Sequence, residues 1–112
     1  MKIYHNPRCS KSRDTLQLIR DAGVEPVVIE YLLNVPTKKE LKELIKLLGM
    51  KPFDLIRQGE PDFKEKFKGK ELSDDDWIDA MMKYPKLIER PIVVKHKKAI
   101  LGRPPKNVKT LL

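Results

Sequence analysis

Two short apolar stretches bracket a single helical repeat at the start of this chain, and that spacing constrains the fold more than any other feature. "KIYH" at 2–5 reads as a strand closed by the turn "NPRC". From Ser10 to Ala22 the positions Thr15, Leu16, Leu18, Ile19 and Ala22 recur at helical spacing, and Gly23 supplies the stop. "PVVIEY" at 26–31 is a β-branched run and is expected to form a buried strand. Connections this short leave one arrangement, a βαβ unit with parallel strands, because a crossover helix carries the chain back to its starting end.

The middle of the chain is helical in pattern. Thr37 and Glu40 form a capping box, and Leu41, Leu44, Ile45 and Leu48 follow as one apolar stripe ended by Gly49. "PFDLIRQG" predicts a shorter helical piece, and "EPDFKEKFKGKE" a loop or broken helix. Ser73 and Asp76 signal another N-cap, with Trp77, Ile78, Met81 and Met82 on one face as core. The last third returns to strands. "RPIVVKH" and "KAILGR" predict an antiparallel hairpin, and "PPKNVKTLL" a terminal helix with proline in its first turn. The order is β-α-β, a helical insertion over about 35–88, then β-β-α. That is a thioredoxin-like α/β layout with a mixed sheet, in a single domain spanning 1–112.

Charge narrows the partners. The net charge is +8, but 18 of the 24 basic residues are lysines interleaved with acids, as in "KKELKELIK". That is the pattern of solvated helix faces with i,i+4 pairs, whereas a nucleic-acid surface gathers its charge in one stripe. Nucleic acid and metal are therefore not expected as ligands. No apolar run is long enough to span a bilayer, and a strand rather than a leader follows Met1. One cysteine excludes an internal disulfide. These features predict a cytoplasmic protein.

That cysteine carries the chemistry. Cys9 follows a turn proline and precedes a helix, so its sulfur meets the unpaired N–H groups of the first turn. Arg8, Lys11, Arg13 and His5 are expected to add positive potential, and Ser12 to donate its hydroxyl to the sulfur. Helix N-termini and nearby cations lower a thiol pKa from its free value of about 8.5, which makes the nucleophilic thiolate. Backbone donors plus arginine forks also suit an oxyanion. Local chemistry thus gives a thiolate and an oxyanion pocket without choosing the oxyanion.

"YHNPRCSKSRDTL" resembles the active-site signature of the glutaredoxin-dependent arsenate reductase (ArsC) family, "Y-x-N-P-x-C-x-x-S-R". "EPVVIEYLLNVPTKKEL", "LIERPIVV" and "AILGRP" resemble its later segments, so the similarity runs from Ile3 to about Pro104. The resemblance implies that the Cys9 thiol attacks arsenate and that Arg57, Arg90 and Arg103 hold the oxyanion. It makes His5, Asn6, Ser12 and Arg13 supports of the thiolate. It also makes Pro91 the candidate cis proline facing the thiol. Glutathione and glutaredoxin are then the external partners, with no bound cofactor and a monomeric enzyme. The few residues after "GRP" and the bulky Arg8 imply a short arsenate-reductase-like branch.

Two alternatives stay open at this point. A general glutathione-dependent thiol oxidoreductase would use the same arginines on glutathione carboxylates. A Spx-like adaptor of RNA polymerase shares the opening motif, but its switch needs C-x-x-C, and here Ser12 occupies the second position.

Overall fold

The computed structural model describes all residues, 1–112. The chain divides into two compact units, Met1–Asn34 with Arg90–Leu112, and Val35–Glu89.

The first unit is built on a four-stranded sheet. Strand β1 (Lys2–His5) leads into helix α1 (Ser10–Asp21), which returns the chain to β2 (Val27–Glu30). The later strands are β3 (Ile92–Lys95) and β4 (Lys98–Leu101), in the spatial order β2-β1-β3-β4. β1 and β2 are parallel with Ile3 opposite Val28, whereas β1 runs antiparallel to β3 with Ile3 opposite Val93. β3 and β4 form the expected hairpin across a two-residue turn, where His96 takes a φ of 55°. Ile3, Leu16, Ile19, Val93, Val108 and Leu111 form one buried cluster, so α1 and the terminal segment share a core with the central strands. Burying each such side chain contributes about 1.5–3 kcal/mol.

Two expectations are corrected here. The strand at 26–31 is not buried: β2 is an edge strand, with Val27 60% and Val28 37% exposed. A β-branched run marks extended backbone, and one neighbouring strand is enough to pair it without covering its faces. The terminal helix is a 3-10 helix, Pro105–Leu111. Its i→i+3 ladder includes the Asn107 N–H donating to Pro104 O at 3.0 Å.

The second unit is helical. Helix α2 (Lys38–Leu48) opens on the Thr37–Glu40 capping box and ends at Gly49, whose φ of 68° suits a residue without Cβ. Helix α3 (Pro61–Lys66) and helix α4 (Asp74–Lys83) follow, with 3-10 turns at Pro52–Leu55 and Pro85–Leu87. Ser73 caps α4 by accepting the Asp76 N–H at 3.2 Å. Phe53, Phe63, Phe67, Trp77 and Tyr84 pack as one aromatic cluster. Lys38 bridges to Asp79 at 3.1 Å, tying α2 to α4. No helix is long and apolar enough to cross a membrane.

Candidate active site

The loop that carries Cys9 is folded by its own polar groups. The Cys9 N–H donates to Asn6 O and the Arg13 N–H to Cys9 O, both at 3.0 Å. Asn6 closes the turn by accepting the Arg8 N–H on Oδ1 at 3.0 Å. The Arg13 guanidinium donates to Pro7 O at 3.0 Å, so it braces the turn from outside. Cys9 thereby becomes the N-cap residue of α1, with its sulfur half-buried at the open end of the helix.

Beneath the turn lies a buried polar group of three. Ser12 Oγ shares a 2.6 Å hydrogen bond with His5 Nδ1 and accepts the Asn6 N–H at 3.1 Å. His5, Asn6 and Ser12 are 6%, 8% and 0% exposed, so each needs these partners. Two sequence expectations change as a result. The Ser12 hydroxyl is engaged with His5 and Asn6, and it is the Ser12 main-chain N–H that favours the thiolate. His5 does not add positive potential. Burial lowers its pKa, Glu30 opposes that, and Arg20 and Arg13 reinforce it, so the neutral ring is favoured.

The electrostatics of Cys9 set opposing effects against one another. Burial raises its pKa, but the Ser12 N–H, the Arg90 guanidinium and the Lys11 N–H all favour the anion, and the net shift is downward. The thiol forms no full capping hydrogen bond, so the amides act as oriented dipoles around an open sulfur. Arg103 completes the surround. Its Nη1 stands 3.9 Å from Cys9 Sγ and donates to Arg90 O at 3.2 Å. Two guanidinium groups therefore meet one thiolate in the first unit.

The Arg90–Pro91 peptide bond is cis, and so is Arg103–Pro104, which the sequence reading passed over. Gly102 was also passed over, and Thr15 was read only as part of the apolar face of α1. The Gly102 N–H donates to Pro91 O at 2.9 Å, and Thr15 Oγ1 lies 3.3 Å from Gly102 O. The glycine of "LGRP" was the available signal.

Arg57 belongs to the second unit. It is flanked there by Glu60 at 3.8 Å and Glu89 at 3.4 Å, beside the Ile56–Ile88 bridge. No group of three or more His, Cys, Asp or Glu side chains is placed to hold a metal ion.

Within the first unit, then, the arrangement offers an accessible nucleophile among donors suited to a small oxyanion. Comparison with known proteins identifies the family. The ArsC family profile matches residues 4–111. "Uncharacterized protein YfgD" of Escherichia coli (strain K12) is 50% identical over 110 residues, covering 96% of this chain and 92% of that protein. "Arsenate reductase" of Rhizobium meliloti (strain 1021) is 43% identical over 111 residues, covering 98% of this chain and 79% of that protein. The solved structure "Arsenate reductase from Vibrio cholerae" superposes with a TM-score of 0.95 at 47% identity, covering 100% of this chain and 98% of that one.

Proposed function

The chain belongs to the ArsC family, and from that premise we propose that it reduces arsenate to arsenite, drawing its electrons from glutathione and glutaredoxin. The observation that carries the reading is the Cys9 sulfur held beside Arg90 and Arg103, with the Ser12 N–H lowering its pKa.

The Cys9 thiolate attacks arsenic(V), forming an S–As bond while an As–O bond breaks and the oxygen leaves, protonated, as water. The arginines neutralise the arsenate oxygens during this step, when charge crowds on the oxyanion. A glutathione thiol then displaces a second oxygen, again lost as water. A glutaredoxin thiolate attacks the glutathione sulfur, a disulfide forms, and the As–S electron pair stays on arsenic, which becomes arsenic(III). Water replaces the Cys9 sulfur, arsenite leaves, and the thiol is restored.

One protein thiol is enough because the other two come from outside. Ser12 at the second position of a C-x-x-C spacing prevents an internal disulfide from diverting the adduct. One chain supplies the thiol and the arginines, so a monomer suffices, and free external thiols place the reaction in the reducing cytoplasm.

The test is NADPH consumption coupled through glutathione reductase, glutathione and glutaredoxin. Turnover should require arsenate and Cys9 together. Turnover of a glutathione mixed disulfide at equal rate, with none on arsenate, would instead assign the chain to general thiol oxidoreduction.

A further inference from the structure

The two arginines beside Cys9 stand at the ends of separate chain segments, and a single close contact holds both segments against α1. A Cβ built on Gly102 would collide with Thr15 Oγ1 and lie 2.7 Å from the Pro91 ring, closer than real Cβ atoms approach. Gly102 immediately precedes Arg103, and Pro91 immediately follows Arg90. On the helix side Thr15 is fully buried, and its hydroxyl spans Lys11 O at 2.7 Å and Gly102 O at 3.3 Å. Lys11 is one of the two residues whose N–H favours the thiolate.

We propose that Thr15 and Gly102 are positioning residues, a clasp that sets Arg103 and Arg90 at their distance from the Cys9 sulfur. Neither touches substrate. Gly102 acts by having no side chain, which lets the strand end sink onto Thr15 and Pro91. Thr15 acts by offering that strand end a matching surface and a hydroxyl, one helical turn and a half beyond the thiol. The proposal rests on the reading of Cys9, Arg90 and Arg103 as the working centre. It concerns what holds them.

A methyl at position 102 must push the Arg103 segment off α1 or shift the Pro91 ring, and either movement withdraws a cation from the sulfur. The Gly102→Ala variant should therefore stay folded, with a thiol that titrates at higher pH. Its kcat/KM for arsenate should fall roughly 10-fold or more, as when one charge-assisted contact is lost. A titration shifted upward while the melting temperature stays near the wild-type value separates this displacement from general structural damage.

If Gly102→Ala does not fold, Thr15→Val and Thr15→Ser answer instead. Valine keeps the shape and loses the hydroxyl, so the thiol midpoint should rise, while serine should restore it. The titration is followed by thiolate absorbance in the ultraviolet and needs no arsenate, so it stays informative even if arsenate is not the substrate. A folded Gly102→Ala protein with an unchanged titration and unchanged kcat/KM would overturn the clasp. So would a Thr15→Val protein that titrates like wild type.

Discussion

Cys9 sits where three influences on one sulfur can be compared. Burial opposes the thiolate, while the first-turn amides and Arg90 favour it and prevail. The thiol should therefore titrate below its ordinary value of about 8.5, with arsenate turnover falling as pH drops through that midpoint. A midpoint at or above the ordinary value, read by ultraviolet absorbance, would remove the activated nucleophile. Cys9→Ser should abolish turnover with the melting temperature nearly unchanged, since the side chain is only half-buried. For the arginines, conversion to lysine keeps the charge and loses the planar fork. Charge-assisted contacts contribute about 1.5–3 kcal/mol, so Arg90→Lys and Arg103→Lys should each lower activity roughly 10- to 100-fold. Arg57→Lys should do so more weakly. Arg20, whose exposed pair with Glu25 is 2.9 Å long, serves as the control and should tolerate lysine. Equal activity in Arg90→Lys and Arg20→Lys would mean the pocket is elsewhere. Cys9 at a helix start is a local signal, whereas Arg90 and Arg103 were expected only from the family resemblance, since nothing in their own segments points to a thiol so far away in the chain. The Ser12 hydroxyl was misassigned because its orientation is set by His5, seven residues away and on another element.

At the scale of elements, the patterns that carried through were those with a mechanism in adjacent residues. The Thr37–Glu40 box and Gly49 bound α2 because each satisfies backbone groups within one turn. β2 failed as a buried strand for the opposite reason. Whether a strand lies at the edge is decided by which strands pair with it, and that order is not written in its own residues. A pair of substitutions separates the two kinds of information. Thr37→Ala should lower unfolding free energy by about 1 kcal/mol through the lost cap. Val27→Thr, on the open edge, should change it by less than about 0.5 kcal/mol. Chemical denaturation of both variants measures this. A Val27→Thr loss larger than that of Thr37→Ala would mean that β2 is covered in solution.

On the scale of the whole molecule, the sequence delimited a helical segment over about 35–88, and the compact helical unit occupies Val35–Glu89. Apolar periodicity changes from strand to helix and back near those points. What no periodicity announces is a buried titratable group such as His5, whose effect is felt in global stability. Its folded pKa lies below the ordinary value of about 6.5. As pH falls below that value, the unfolded chain takes up a proton that the folded one refuses, so stability declines. The decline ends once pH passes the lowered folded pKa, where both states are protonated. Stability is thus fully retained above the ordinary histidine range. His5→Asn keeps a polar partner for the Ser12 hydroxyl and removes the titration. Carboxylates that titrate in the same range are common to both proteins and cancel in the comparison. Thermal melts from about pH 7.5 to about pH 5.5 should therefore show the wild-type melting temperature falling more steeply than that of His5→Asn. Parallel curves would mean that His5 accepts its proton in the folded state, and the neutral ring beneath the Cys9 loop would have to be abandoned.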